Sequence, residues 1–207
     1  MMHDRQSHWE QVYQSKKADT LSWYRPHLET SLALIEKALG ADRQAAIIDI
    51  GAGESTLVDD LLERAYLDIS LFDISSTALD VTRRRLGELS SRLHWRVGDI
   101  TDTDLPAQRY DLWHDRAVFH FLTRPDQRAA YLRQLRQALK PGGHVVLATF
   151  ASDGPERCSG LEVVRYDAAA LHAQLGAGFR LLESQRQLHQ TPAGAIQPFV
   201  YCYCRRE

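Results

Sequence analysis

Residues 45–55 read Ala-Ala-Ile-Ile-Asp-Ile-Gly-Ala-Gly-Glu-Ser. The apolar, β-branched run at its start is that of a strand buried on both faces. It stops at Gly51, and Gly53 follows two positions on. Glycine has no Cβ to obstruct a positive φ, so the pair lets the backbone turn sharply and lets a ligand approach main-chain N–H groups. A helical stretch, about 55–65, begins directly after. Strand, glycine turn and helix in that order place the turn at the carboxyl edge of a sheet, where open α/β sheets bind ligands. A purely structural strand-to-helix turn satisfies the same letters, so the surrounding chain has to decide.

Working outward, further strand-like runs occupy 67–73, 93–98, 109–114 and 143–150. Helical patterns fill about 76–90 and about 125–139; the second has Pro125 in its first turn and ends at the stop signal Leu-Lys-Pro-Gly-Gly. Upstream, residues 28–39 set Leu28, Leu32, Ile35 and Leu39 on one helical face. Five strands alternating with helices predict a parallel sheet covered on both faces. The tail departs from that rhythm. After the loop 152–166 and a short helix near 167–175 come two strand-like runs, 179–189 and 197–204, joined by too few residues for a crossover helix. They must pair antiparallel. The expectation is one α/β domain, 28–207, with a doubly wound, mostly parallel sheet of seven strands, a C-terminal antiparallel hairpin and helices on both faces. Residues 1–27, carrying Trp9, Tyr13, Trp23 and Tyr24, form an aromatic arm or lid ahead of it.

Composition narrows the partners. A chain of 207 residues is long enough for one well-buried core. A formal net charge of −2 gives no electrostatic case for nucleic acid or an anionic membrane. No apolar run approaches the roughly 20 residues that span a bilayer, and the N-terminus lacks the apolar core of a secretory signal. Cys158, Cys202 and Cys204 do not make a disulfide framework, which points to a reduced cytoplasm. Cys202 and Cys204 lie two apart on one face of a strand; without further ligands at plausible spacing they read as packing residues, and no metal site is expected.

Two acidic residues sit where a bound nucleoside would need them. Asp73 ends the second strand, 20 residues after Gly53, and its carboxylate can accept both hydroxyl hydrogens of a ribose. It can also cap the next helix, although Ser75 and Ser76 are better placed for that. Asp99 ends the third strand, beside Ile100. It suits either an adenine amino group, with Ile100 against the ring, or a simple turn. A dinucleotide fingerprint would require glycine at position 56, where Thr56 stands.

Taken together, IIDIGAGES, LFDIS, VGDI, YDLWHDRAVFHFL and LKPGGHVVLATF resemble the successive motifs of class I S-adenosylmethionine-dependent methyltransferases, over roughly residues 30–150. The resemblance implies a Rossmann-like fold, S-adenosyl-L-methionine as cofactor and methyl transfer as activity. It implies that Asp49 and the Gly51–Ala52–Gly53 turn face the methionine part. Asp73 with Ile74 serves the ribose, and Asp99 with Ile100 the adenine. The segment around Asp115 and Arg116 holds the amino-acid end. A third glycine is common two residues after Gly53; Ser55 stands there instead.

The chemistry asks for alignment and a dry pocket rather than a nucleophilic side chain, because the cofactor carries the reactivity. Trp9 and Tyr13 share a face if the arm is helical, and with Trp23 they can shield a sulfonium or simply close the core. The stretch HWEQVY…SWYRP also loosely resembles the arms of two methyltransferase groups, one acting on small thiols and one on protein lysines. Tyr13, Trp23 and His120 are the candidate catalytic or positioning residues, His120 as a base if one is needed. Tyr24, Phe119, Arg157 and Arg165 are candidate substrate contacts, the two arginines for an anionic acceptor. The expected activity is methyl transfer to a small-molecule acceptor. A protein-lysine methyltransferase and a non-catalytic adenosyl-ligand binder are the alternatives.

Overall fold

The computed structural model describes residues 2–207, with backbone alone for residues 2–4. Met1, the first residue of the expected arm, lies outside them. Six α-helices occur among the described residues: α1 (Met2–Ser15), α2 (Glu29–Leu39), α3 (Leu57–Glu63), α4 (Ser76–Leu86), α5 (Pro125–Ala138) and α6 (Ala168–Leu175). The strands are β1 (Ala46–Ile50), β2 (Asp68–Asp73), β3 (His94–Val97), β4 (Tyr110–Arg116), β5 (Leu139–Phe150), β6 (Arg157–Cys158), β7 (Leu161–Glu162), β8 (Phe179–Gln190) and β9 (Ile196–Arg206). Seven of them form one sheet in the order β3-β2-β1-β4-β5-β9-β8. The first five run parallel, and β9 lies antiparallel to both β5 and β8. This is the doubly wound sheet with a terminal hairpin that the sequence predicts.

All five residues of β1 are buried, as the unbroken apolar run requires. Their side chains alternate: Ile47 packs into a core with Leu32 and Ile35 of α2, Leu61 of α3 and Leu79 of α4. Ile48 and Ile50 pack into a second core with Tyr131 and Leu135 of α5 and Leu171 of α6. Each such fully buried isoleucine is worth about 1.5–3 kcal/mol relative to exposure. Cys202 and Cys204 are both buried in the α5–α6 core, where burial pushes their thiols up to about 11 and about 12.

Element ends differ from the sequence expectation where glycine or positive φ intervenes. The helix expected to reach 90 stops at Leu86, because Gly87 turns to φ +57 and its N–H closes on Arg83; a 3-10 turn completes the segment. The helix expected over 55–65 spans only Leu57–Glu63, and Ala65 at φ +61 reverses the chain. Strand β5 begins at Leu139 rather than near 143. Tyr110 pairs with Leu139 and Leu112 with His144, so the Pro-Gly-Gly stretch bulges within the strand, with Gly142 at φ +76. The loop 152–166 contains the hairpin β6–β7, turned by Ser159 and Gly160 at φ +48 and +80, the two positive values of a type I′ turn. No described helix is long and apolar enough to cross a membrane.

Candidate active site

The turn after β1 is built as the glycines suggest. The N–H groups of Gly51 and Ala52 both donate to the Phe72 carbonyl, at 2.8 and 3.1 Å, which binds the turn to the end of β2. Gly51 takes φ +71, and a Cβ there would lie 2.1 Å from Val118 Cγ2. Gly53 takes φ +42, and a Cβ there would lie 2.7 Å from the Tyr13 hydroxyl and 3.2 Å from Asp73 Oδ2. The missing side chain at Gly53 is what lets the Tyr13 hydroxyl and the Asp73 carboxylate pack directly onto the turn.

Two cavities meet over this turn. The larger, about 790 Å³ with its open mouth included, runs along Phe72, Asp73, Ile74, Gly98, Asp99 and Ile100 to Arg116, Ala117, Val118, Phe121 and Cys158. The smaller, about 500 Å³, is walled by Asp49, Ala52, Glu54, Ser55, His114, Tyr24 and Arg25. Tyr13, Trp23, Gly51 and Arg116 line both and so mark the junction. The sheet and the arm thus bring Asp49, Gly51, Ala52, Asp73, Ile74, Asp99, Ile100, Arg116, Tyr13, Trp23 and Tyr24 to the walls of two adjoining cavities.

Asp73 is buried in the larger cavity's wall. Its Oδ1 accepts from the Ser75 N–H at 2.8 Å, while Ser75, through its own hydroxyl, caps α4 at the Ala78 N–H. Burial raises the Asp73 pKa to about 7 against the backbone hydrogen bonds of Ser75 and Gly53, with Asp49 and Glu10 adding repulsion. Asp99 accepts at Oδ1 from the N–H and hydroxyl of Thr101, at 2.9 and 2.7 Å. Its other oxygen faces Arg5 Nη2 at 2.6 Å. In the smaller cavity, Asp49 Oδ1 sits 2.6 Å from His114 Nδ1, and His114 Nε2 sits 2.9 Å from the Ser31 hydroxyl. All three are buried, so the chain holds the Asp49 carboxylate in one orientation.

The arm forms the roof. Trp9 meets Phe121, Trp23 and Tyr13 at ring separations of 5.0, 5.9 and 6.1 Å, and Tyr13 meets Trp23 at 6.2 Å. Trp9 and Tyr13 share a face of α1 because they are four apart on a helix. Glu10 pins that helix down: its carboxylate accepts from the Ser75 and Ser76 hydroxyls at 3.0 and 2.9 Å and from the Ser76 and Thr77 N–H groups at 2.7 and 3.2 Å. A carboxylate is favourable there because the N-terminus of α4 carries unsatisfied N–H groups and a partial positive charge.

Six residues expected at the site line neither cavity; one is Gly53, whose open side is taken by the Tyr13 hydroxyl and the Asp73 carboxylate. Asp115 is fully buried; Oδ1 accepts from the Val118 N–H at 2.9 Å and Oδ2 from the Tyr131 hydroxyl at 2.6 Å. It shapes the turn whose Ala117 and Val118 line the cavity rather than meeting a ligand itself. Phe119 packs against Tyr131 and Tyr166 in the core. His120 is buried between Phe121 and Phe150, where burial and then Arg116 lower its pKa to about 3, so it stays neutral and lines no cavity. Strand β4 ends at Arg116, and the 3-10 turn Phe119–Phe121 rotates these two side chains inward and Phe121 outward to the cavity. Arg157 donates to the Gly160 carbonyl at 2.9 Å within its own hairpin. Arg165 donates to the Gly154 carbonyl and to Glu156. Sequence reading passed over Arg5, Glu10 and Phe121 as site residues. Glu10 and Phe121 carried a legible signal in their spacing, Glu10 between the arm's aromatics and Phe121 two beyond Phe119; Arg5 carried none.

The residues present fit an adenosyl amino acid. Carboxylates stand where ribose, adenine amino and ammonium donors would need acceptors, and Gly51, which has no side chain, lines both cavities. Aromatic faces at the junction suit a sulfonium.

Residues 47–143 match the family model of a methyltransferase domain. Among curated proteins, the chain is 32% identical over 116 residues to malonyl-[acyl-carrier protein] O-methyltransferase of Halalkalibacterium halodurans, covering 54% of this chain and 41% of that protein. It is 24% identical over 139 residues to the mouse eEF1A lysine and N-terminal methyltransferase, covering 67% of this chain and 19% of that protein. The chain therefore spans well under half the length of these curated relatives. A solved 1,6-didemethyltoxoflavin-N1-methyltransferase of Burkholderia thailandensis, with bound 1,6-didemethyltoxoflavin and S-adenosylhomocysteine, superposes with a TM-score of 0.72 at 21% identity, covering 100% of this chain and 90% of that one. Fold, site and family model define a methyltransferase domain. The matched domain, residues 47–143, and the surrounding fold are those of class I S-adenosylmethionine-dependent methyltransferases, whose cofactor is S-adenosyl-L-methionine.

Proposed function

We propose that this chain is an enzyme that transfers the methyl group of S-adenosylmethionine to a small-molecule sulfur, oxygen or nitrogen nucleophile. The observation that carries the reading is enclosure. Helix α1 and the segment around Trp23 roof the glycine turn with aromatic rings, leaving a pocket lined mainly by apolar and aromatic side chains with a few polar groups, the usual make-up of a small-molecule site. The solved relative that holds a small heterocyclic ligand supports the same reading.

When bound, the cofactor supplies a methyl group on a positively charged sulfur. The chain's own residues bind, orient and keep water out. Asp49, held by His114 and Ser31, accepts from the ammonium of the amino-acid end. Asp73 accepts from the ribose hydroxyls, and Asp99 with Ile100 serves the adenine. Trp9, Tyr13 and Trp23 shield the junction, where exclusion of water strengthens every electrostatic contact. Burial, followed by the charge of Asp73, raises the Tyr13 pKa well above its ordinary value, so Tyr13 keeps its proton and acts as a positioning donor.

The test measures S-adenosylhomocysteine formed from S-adenosylmethionine over a panel of thiols, amines, phenols and carboxylates. Turnover with one class supports the proposal. The mouse relative, which aligns with two thirds of this chain, favours a second reading as a protein-lysine methyltransferase. Radiolabelled methyl on protein bands of a lysate, with none on small molecules, would establish that reading instead. Cofactor binding with no transfer in either assay would mark an adenosyl-ligand binder, and calorimetric binding of NAD alone would overturn all three.

A further inference from the structure

Arg116 closes β4 and reaches the wall that the two cavities share. Neutral groups hold its guanidinium on three sides. Nε donates to the Tyr201 hydroxyl at 3.1 Å and Nη1 to the Trp23 carbonyl at 3.0 Å. The guanidinium carbon lies 4.4 Å from the centre of the Phe199 ring. Nη2 is buried and donates to nothing. Among the described residues, no carboxylate stands within ion-pair distance of this cation. Both buried histidines near it are neutral, with pKa values lowered to about 3 for His120 and about 4 for His189, first by burial and then by Arg116.

The other arginines lining the cavities already have partners. Arg5 is paired with Asp99 at 2.6 Å. Arg25 donates to Glu29 at 2.9 Å and to the His27 carbonyl. Arg116 differs from both in having a buried donor without a partner and, among the described residues, no carboxylate in ion-pair contact. A desolvated charge without a counter-ion is unfavourable, and a planar guanidinium fork matches a carboxylate.

We propose that Arg116 is the carboxylate receptor of this site, holding through Nη2 a ligand carboxylate at the junction of the two cavities. The proposal rests on the reading of these cavities as the cofactor and acceptor site. Two ligands can bring that group: the cofactor, at its amino-acid end, or an acidic methyl acceptor. The guanidinium's three protein anchors fix its orientation before a ligand arrives, so binding orders little further.

Calorimetry on the full chain separates these sources, using wild type, Arg116→Met and Arg116→Lys. The probes are S-adenosylhomocysteine, 5′-methylthioadenosine (which lacks the amino-acid end) and benzoate titrated into protein saturated with S-adenosylhomocysteine. If the cofactor supplies the carboxylate, Arg116→Met weakens S-adenosylhomocysteine at least tenfold and leaves 5′-methylthioadenosine within twofold. If the acceptor supplies it, both nucleosides keep their affinity, and benzoate binding present in wild type disappears in Arg116→Met. Arg116→Lys retains the charge and most of the packing, so it keeps the fold if the methionine variant does not; it loses the same probe by threefold or more, because the fork is gone. The proposal is overturned if no probe changes by more than twofold, or if 5′-methylthioadenosine weakens as much as S-adenosylhomocysteine, which would mark a scaffold role. Failure of 5′-methylthioadenosine to bind wild type would sink the cofactor reading itself, and this proposal with it.

Discussion

Arg5 Nη2 lies 2.6 Å from Asp99 Oδ2, and the same nitrogen donates to the Thr101 hydroxyl at 2.9 Å. One side chain near the N-terminus thus closes the far end of the larger cavity, against the carboxylate expected to serve an adenine ring. Glu10 fastens the same helix to the start of α4, five residues later. Helix α1 is held over the site by two polar clasps, one at each side of its aromatic face.

Loosening both clasps is expected to release the roof without unfolding the domain. In Arg5→Ala/Glu10→Ala, limited trypsin digestion should cut at Lys16 or Lys17 several-fold faster than in wild type. S-adenosylhomocysteine should dissociate faster. Asp99 is buried and loses its counter-ion, and Glu10 takes four hydrogen bonds with it, so the melting temperature should fall as well while the transition stays cooperative. Unchanged cleavage and dissociation would show that the aromatic contacts alone hold the arm.

Asp73 makes cofactor affinity depend on pH. Its pKa in the ligand-free fold is raised to about 7, and the ribose hydroxyls need the ionised carboxylate as acceptor. Affinity for S-adenosylhomocysteine should therefore rise about tenfold between pH 6 and pH 8, with proton release visible as a buffer-dependent binding enthalpy. Stability runs the other way. An unfolded aspartate titrates near about 4. The contribution of Asp73 to ligand-free stability is thus fully present below about 4 and is lost as the pH rises through about 7. Asp73→Asn should remove the pH dependence of binding and weaken the ligand at least tenfold. A wild-type affinity that is flat from pH 6 to pH 8 would refute this account.

The two turn glycines should fail differently when replaced. Gly51→Ala forces a Cβ into Val118 at φ +71 and should lower both stability and binding, the backbone conformation alone costing about 1–2 kcal/mol. Gly53→Ala meets the movable end of Tyr13 and the Asp73 carboxylate. It should reduce cofactor affinity at least tenfold with a smaller loss in chemical denaturation. Equal losses in both variants would argue that Gly53 serves the fold rather than the cofactor.

Behind the site, Trp113 Nε1 donates to the Tyr131 hydroxyl at 2.8 Å, which donates to Asp115 at 2.6 Å. Tyr131→Phe leaves a buried indole N–H and a carboxylate oxygen without that partner. It should cost about 1–3 kcal/mol in urea denaturation and change cofactor affinity by less than threefold. A neutral effect would mean that water replaces the hydroxyl.

Trp23 stands at the junction of the two cavities, and its carbonyl accepts from Arg116 Nη1. Trp23→Ala should lower turnover more than it lowers thermal stability. A large melting loss with normal turnover would place the ring among core residues only.

Much of the site was readable because α/β sheets put strand ends together. The glycine turn, Asp73 and Asp99 each follow a strand, and neighbouring parallel strands must expose those ends on one edge. Phe119 and His120 follow a strand as well, yet they point inward, as does Asp115 one residue before the end of β4. A 3-10 turn three residues long changes side-chain direction at every position, and no periodicity in so short a piece reports it.

Local chemistry in the chain determined the strand and helix alternation, the two glycines at positive φ and the antiparallel tail, because periodicity, φ freedom and connection length act over a few residues. Tertiary structure alone decided that Arg5 meets Asp99, that Glu10 caps a helix 66 positions away from it at Ser76, and that Arg116 is left with an open donor between two cavities. Those partners are remote along the chain. Which charges meet, and which stay unpaired, depends on how helices settle on the sheet rather than on any pattern within either segment.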